Sequence, residues 1–128
     1  MGASGKPGML RRAIERLTSS DEEIEAEELR TSCTRRGSQL IARCGDREQV
    51  TVDGALRTVT LRPRAGVPAL EAELYDGSGT LHVVWLGRRR IPGIAPGRGM
   101  RATGRVSMDD GRPVMFNPIY ELHPSAHA

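Results

Sequence analysis

The spacing of hydrophobic residues along the chain changes near residue 50. Before that point, Leu10, Ile14 and Leu17 recur at the spacing of one helix face, which predicts a short helix over 9–17. After it, apolar residues alternate with polar ones in short runs, as they do in β-strands. The chain is therefore expected to have a helical beginning and a β-sheet remainder.

A second helix is predicted over 21–35, with Ser20 as the cap of a capping box. Its large apolar residues are only Ile24 and Leu29, and so thin a stripe does not stabilise a helix by itself. We expect this arm either to dock on the rest of the protein or to fray. The acidic run 21–28 is interpreted as a solvated face, with an acidic arm that docks on a protein partner as the alternative.

Five strands are predicted after residue 50, because runs rich in Val, Ile, Leu and Thr are separated by glycine and proline turns. Gly54 interrupts the first strand and is expected to form a bulge or a sharp bend. Asp76-Gly-Ser-Gly79 has the composition of a hairpin turn. The predicted strands cover 50–61, 69–75, 80–86, 100–108 and 113–122.

Five strands over about 73 residues are too few for two packed sheets, but they can close a small barrel. A long first strand that pairs at both its ends, and a longer connection after the third strand, are typical of the OB-fold. The predicted fold is mainly β: a five-stranded Greek-key OB barrel with a short helical N-terminal arm, and an SH3-like barrel as the alternative. The expected division is a flexible leader, a helical arm, the barrel and a disordered tail, over 1–8, 9–47, 48–123 and 124–128.

The apolar composition places the core in the second part of the chain. Of the 25 Val, Ile and Leu residues, 18 follow residue 49, and so do all the aromatic residues. Two cysteines, Cys33 and Cys44, are too few for a disulfide framework and are expected to be free thiols. No apolar run is long enough for a membrane helix, and the first residues lack the apolar core of a signal peptide. We therefore expect a cytoplasmic protein that does not bind a membrane.

The basic residues are almost all arginine. Lys6 is the one lysine among 19 basic residues, and the formal net charge is +3. Arginine presents a planar fork of donors that suits phosphate, and its guanidinium stacks on bases. A coding sequence rich in G and C produces the same bias, so composition alone does not establish a nucleic-acid partner.

Six segments between 50 and 122 form an ordered pattern: Val50-Thr-Val-Asp-Gly-Ala-Leu-Arg-Thr-Val59, Glu73-Leu-Tyr-Asp-Gly-Ser-Gly-Thr-Leu81, Val84-Trp-Leu-Gly-Arg-Arg-Arg-Ile-Pro-Gly-Ile94, Pro96-Gly97, Arg101-Ala-Thr-Gly-Arg-Val106 and Asn117-Pro-Ile-Tyr120. These segments resemble the nucleic-acid-binding OB module of junction-unwinding helicases, where it forms the wedge domain, and of the bacterial replicative polymerase. Their order and spacing are more specific than any single segment. The whole pattern most resembles the small stand-alone OB-fold proteins of actinobacteria. This resemblance implies an OB barrel that binds single-stranded nucleic acid, and it does not imply an enzyme.

OB barrels bind a nucleic-acid strand across their second and third β-strands. Alternation in the second strand places Glu71, Glu73 and Tyr75 on the outer face. The two carboxylates oppose phosphate binding there unless neighbouring arginines neutralise them. In the third strand both sides are apolar, so the sequence leaves open which side faces outward.

Among the aromatic residues, Trp85 and Phe116 are predicted to be core residues, whereas Tyr75 and Tyr120 are candidates for base stacking as well as for packing. The run from Arg88 to Arg90 is the strongest positive feature and is expected to contact phosphates, with a solvated loop as the alternative. The predicted nucleic-acid-binding residues are Arg57, Arg62, Arg64, Tyr75, His82, Arg88, Arg89, Arg90, Arg105 and Tyr120.

The sequence contains no arrangement that indicates catalysis. Cysteine and histidine residues do not have the spacing of a zinc site, and the glycines lie at turns and not in a phosphate-binding loop. We therefore expect no metal, no cofactor and no enzymatic activity. The predicted function is binding of single-stranded nucleic acid, DNA in preference to RNA, in repair or recombination. The alternatives are an OB domain that docks on a larger complex, and an accessory subunit of an enzyme.

Overall fold

A computed structural model describes residues 20–124 of the chain. The predicted leader, the predicted helix over 9–17 and the tail beyond residue 124 lie outside the described residues. Residues 20–35 form a helix, here called α1, and Ile41–Arg43 form a single 3₁₀ turn. The described residues also contain six strands: β1 (Gln49–Leu61), β2 (Ala69–Tyr75), β3 (Thr80–Leu86), β4 (Gly99–Asp109), β5 (Arg112–Phe116) and β6 (Ile119–Leu122).

Five of these strands close into the predicted OB-like barrel. β1 pairs with β2, β2 with β3 and β4 with β5, all antiparallel, whereas β3 and β5 are parallel. The ring closes because β4 also pairs with the first half of β1. The mainly β fold and the five-stranded barrel are therefore confirmed, and β6 is an additional strand on β4.

β1 contributes to the barrel twice, and its irregularity lies later than predicted. Residues up to Ala55 pair with β4, and those from Ala55 onward pair with β2. The bulge falls between Leu56 and Thr58, not at Gly54. Gly54 has a different structural role, because a Cβ there would lie 2.6 Å from the backbone oxygen of Tyr75. Its lack of a side chain lets the two strands approach at this crossing point.

The predicted fifth strand is in fact two strands. Asn117 adopts a positive φ of 46° and Pro118 carries no N–H, so the ladder cannot continue through them. The Asn117 side chain instead accepts a hydrogen bond from the Leu86 N–H at 2.9 Å. β5 therefore closes the barrel, and β6 turns away to pair with β4.

The core contains residues from the arm as well as from the barrel, which corrects the expectation that residues after 49 build it alone. Ile41 and Cys44 belong to the same buried cluster as barrel residues such as Leu56, Leu74 and Met100. Sequence patterns did not indicate this because neither residue lies in a periodic apolar segment. Val59 and Leu122 pack against the cluster at its edge.

α1 is docked on the β2–β3 turn. The Arg30 guanidinium donates to the Gly77 carbonyl at 3.2 Å. The buried Asp76 carboxylate accepts hydrogen bonds from the backbone N–H groups of Ile41, Ser78 and Gly79. Acidic side chains over 21–28 point to solvent, as predicted, whereas Ser20 is itself helical and not the cap.

A second buried carboxylate, Asp53, connects the arm, β4 and the C-terminal segment. It interacts with Ser38, with Arg101 Nε at 3.1 Å and with His123 Nε2 at 2.5 Å. Burial acts to raise the pKa of Asp53, but hydrogen bonds from Ser38, His123 and Arg101 outweigh it and hold the pKa below its ordinary value. The thiol of Cys33 donates to the Asp53 carbonyl at 3.1 Å. One charged group thus holds together segments that are distant in sequence.

Candidate nucleic-acid interface

The outer face of β1, β2, β3 and β5 carries the polar side chains on which the sequence analysis focused. Strand register aligns them in rows, and one row runs from Thr58 through Glu73 and His82 to Val114. Ala72 and Leu74 point into the barrel, as predicted from the alternation of β2. In β3 the inward side is that of Leu81, Val83 and Trp85, so the side of His82 faces outward.

A concave cavity of about 270 Å³ lies on this face. Its floor is half-buried, whereas most of its rim is exposed. The β1–β2 hairpin forms one wall, because Ala65 and Gly66 both adopt positive φ and bring Arg64 back against Val67. The lining residues are Thr58, Thr60, Arg62, Arg64, Glu71, Ala72, Glu73, His82, Asp109, Arg112 and Val114.

The two carboxylates of β2 have different environments. Glu71 Oε1 lies 2.7 Å from both Nε and Nη2 of Arg64, which neutralises its charge. Glu73 Oε1 accepts a hydrogen bond from the Thr58 hydroxyl at 2.9 Å. Within residues 20–124, no cation lies at ion-pair distance from Glu73. An arginine thus offsets one of the two β2 carboxylates that oppose phosphate on this face.

Two aromatic rings near the cavity each carry a guanidinium over their face. The central carbon of Arg57 lies 3.7 Å from the centroid of the Tyr75 ring, and that of Arg64 lies 5.4 Å from the centroid of Phe116. Phe116 is 43% exposed, so its prediction as a core residue is wrong. The reason is the alternation of β5, in which Met115 points inward and its neighbours Val114 and Phe116 point outward.

The other two aromatic residues lie away from the cavity. Trp85 is 5% exposed, which confirms its prediction as a core residue. Tyr120, on β6, is 38% exposed and contacts Trp85 edge-on, with 5.7 Å between ring centroids. Tyr120 therefore packs on the barrel while part of its ring remains accessible.

The structure brings some of the predicted site residues together and leaves others apart. Arg62, Arg64 and His82 line the cavity, and Arg57 and Tyr75 form the pair described above. The side chains of Arg88–Arg90 are exposed on the connection after β3 and do not line the cavity. Arg105, on β4, donates to the Arg47 carbonyl at 2.7 Å.

Sequence reasoning missed Arg112 and the hydroxyls of Thr58 and Thr60. Arg112 follows a turn and starts β5, where the parallel pairing with β3 brings it to this face. The alternation Thr58, Thr60 in β1 was a usable signal, because both threonines fall on the side opposite the partly buried Val59.

A larger hollow of about 720 Å³ lies elsewhere, between α1, the connection before β4 and the C-terminal segment. Glycine, alanine and proline form much of its wall, and its described lining contains no Trp, Tyr or Phe ring. Its two arginines are Arg36 and Arg98, of which Arg98 donates to the His123 carbonyl at 2.9 Å. The lining of the first cavity contains no such ring either, but its Arg64 lies over the exposed ring of Phe116.

The thiols are not suited to nucleophilic chemistry. Burial raises the pKa of Cys33 to about 11, with further contributions from Asp76 and Asp53. Burial likewise raises the pKa of Cys44 to about 11. Both are therefore neutral thiols near pH 7, whereas a reactive cysteine is a thiolate. In the part of the chain that the structure describes, no group of three or more His, Cys, Asp or Glu side chains has a metal-binding arrangement.

Comparison with solved structures shows what the barrel is similar to. The chain is similar to a part of RecG in a solved structure of RecG bound to a three-way DNA junction, with a TM-score of 0.51 and 22% identity. The match covers 63% of this chain and 12% of the RecG chain. No protein-family model matches the chain, and no curated protein matches it. The similarity supports the OB-like fold.

Between residues 20 and 124, no helix is both long and apolar enough to cross a membrane.

Proposed function

We propose that this protein is a non-catalytic OB module that binds single-stranded nucleic acid, DNA in preference to RNA. The observation that carries the proposal is the accessible Phe116 ring beside a cavity with arginines in its wall. Aromatic faces stack on bases without regard to sequence, and arginines contact the phosphates between them. If this OB-like barrel, which is similar to a part of RecG, binds a DNA strand, a role in repair or recombination is consistent with that binding.

In this proposal arginines and aromatic rings contact different parts of the nucleic acid. Arg62 and Arg112 are exposed at the cavity rim and contact phosphates. Phe116 and Tyr75 stack on bases, and the guanidinium groups over their rings either stack in turn or move aside to the backbone. Arg88–Arg90, on the connection after β3, extend the positive surface for a longer strand.

A protein-docking function is the alternative, and the acidic surface of α1 favours it. The side chains of Glu22, Glu25 and Glu28 are exposed, although the helix itself is docked on the barrel through Gly77. An acidic helix surface held in a fixed position suits a basic partner protein. The two functions use different surfaces of the molecule.

Fluorescence anisotropy with a labelled oligonucleotide of about 16 nucleotides tests the proposal, since one OB domain covers about 4–16 nucleotides. We expect tighter binding to the single strand than to the matching duplex, and weaker binding as salt increases. Phe116→Ala should weaken binding by about 1–3 kcal/mol. Ile119→Ala removes an exposed apolar side chain on β6 and serves as the matched control, with no change expected.

The proposal is wrong if the protein binds neither strand form at low salt. Equal loss for both variants would also contradict it, because the effect would then not come from stacking on Phe116. Capture of a defined protein partner by the parent protein, but not by a variant with α1 glutamates changed to glutamine, would favour the docking function.

A further inference from the structure

Glu73 lies at the centre of the candidate interface, where a negative charge opposes the phosphates of a bound strand. Its register neighbours are Thr58 on β1 and His82 on β3, and its side chain is half-buried in the cavity wall. Arg62 and Arg112 are exposed at the rim of the same cavity. The rim thus carries these two arginines together with the exposed Asp109, and Glu73 lies further in.

The Glu73 carboxylate can accept more hydrogen bonds than it does in this structure. Thr58 donates one hydrogen bond to Oε1, and an ionised carboxylate accepts up to about four. Glu71 differs, because Arg64 approaches its Oε1 with two nitrogens. Of the two β2 carboxylates, Glu73 is therefore the one that no arginine within the described residues offsets, and its free acceptor sites are open to donors from a ligand.

Within a DNA strand only one part offers such donors, because deoxyribose lacks the 2′-hydroxyl of RNA. Phosphates and the ring faces of bases supply none, whereas the edges of unpaired bases carry N–H groups. Guanine presents N1–H and N2–H side by side, which matches the two oxygens of one carboxylate. Cytosine and adenine present one amino group, and thymine presents one imino N–H. A cavity of about 270 Å³ is below the usual size range of drug-binding pockets and suits a single base.

We propose that Glu73 is a specificity-determining residue that accepts the N1–H and N2–H groups of one unpaired guanine. This inference rests on the proposed function and adds a base preference to it. It also gives a physical reason for a carboxylate on a nucleic-acid-binding face: the phosphates lie at the arginine rim, and the base edge reaches the half-buried Glu73.

The test uses labelled oligothymidine strands that are identical except at one central nucleotide, which is dT, dA, dG or deoxyinosine. Deoxyinosine keeps N1–H but lacks the N2 amino group. Because the protein can bind at any position along the oligonucleotide, one central guanine is sufficient to occupy the cavity. We expect the dG strand to bind about tenfold more tightly than the dT strand, and deoxyinosine to lose most of that gain.

Glu73→Gln separates base reading from simple charge. Glutamine has one acceptor oxygen and an NH₂ donor in place of the second, so it cannot pair each guanine N–H group with its own oxygen, and its NH₂ group opposes one of them. We expect the preference for dG to disappear while binding to the dT strand is kept or slightly strengthened. Glu121→Gln removes the same charge from an exposed site on β6 and should leave the preference unchanged.

The outcomes are distinguishable. Equal affinity of the parent protein for all four strands overturns the inference and leaves the proposed function intact. A uniform increase in affinity of Glu73→Gln, with the dG preference retained, also overturns it, because Glu73 then acts only by repelling phosphate. Absence of binding to every strand overturns the proposed function and this inference together.

Discussion

A Cβ on Gly77 would lie 2.1 Å from the backbone oxygen of Ala26, so α1 sits directly on the β2–β3 turn. Gly77 also adopts a φ of 89°, a backbone conformation that is unfavourable for residues with a Cβ atom. The contact joins residues that are far apart in sequence. It explains why a helix with so few apolar residues is held in place.

Gly77→Ala is predicted to displace α1 and to destabilise the protein by about 2 kcal/mol or more, through both strain and steric conflict. Gly87→Ala is the matched control, because Gly87 has a φ of 77° but open space where its Cβ would be. We expect the control to cost about 1 kcal/mol, from strain alone. Urea unfolding of both variants gives the comparison, and equal losses would contradict the steric contribution of α1.

Trp85 is predicted to be a stability residue and not a stacking platform. Trp85→Ala should cost about 3–5 kcal/mol because it leaves a cavity in the core. Trp85→Phe should cost less than about 1.5 kcal/mol, since the buried indole N–H has no hydrogen-bond partner to lose. Denaturant unfolding measures both. A Trp85→Ala protein that is as stable as the parent but no longer binds oligonucleotide would reverse the assignment.

Asp53 is predicted to make stability depend on acid pH. Its pKa is lower in the folded protein, so its contribution is fully present above the unfolded value of about 3.9. The contribution is lost as the pH falls through that value towards the folded pKa, because the unfolded chain binds the proton more readily.

Asp53→Asn should therefore lower stability at pH 7 by about 3–5 kcal/mol and should flatten the decline in stability below about pH 4. Asp110→Asn, at an exposed turn, is the control and should keep the parent's pH dependence. Unfolding at a series of pH values tests this, and an unchanged acid slope in Asp53→Asn would refute the assigned role.

The barrel is predicted to fold without the arm, although less stably. A fragment over 47–124 retains β1 to β6, so we expect cooperative thermal unfolding. It lacks Ile41 and Cys44, and Asp76 loses the hydrogen bond from the Ile41 N–H. The fragment should therefore be less stable than a 20–124 fragment by at least about 2 kcal/mol. Non-cooperative melting of the shorter fragment would show that the arm is required for the fold.

Much of the fold could be predicted from sequence because its determinants are local. Glycine and proline mark the turns, and the alternation of β2 assigned Glu71 and Glu73 to the outer face correctly. The resemblance to known OB modules then ordered the strands. By contrast, the α1–Gly77 contact was not predictable, because it depends on the approach of two segments with no shared pattern.

The candidate site was predictable only in part, for a similar reason. His82 follows from its strand position, and Arg62 and Arg64 follow from their place in the connection between β1 and β2. Arg112 could not be placed in this way, because it reaches the face through β5, which pairs non-locally with β3. Phe116 is predicted to be a core residue, but the structure exposes it. In β5 both sides of the strand are apolar, so composition did not indicate which side faces outward.

The central claim is that the arginines at the cavity rim contact the phosphates of a bound single strand. The most direct test is the slope of log affinity against log salt concentration for Arg62→Ala/Arg112→Ala, with Arg35→Ala/Arg43→Ala as a control of equal charge away from the cavity. At about 0.7 per phosphate contact, the first variant should flatten the slope by about 1.4 and the control should not change it. A correctly folded rim variant with the parent's slope would contradict the account.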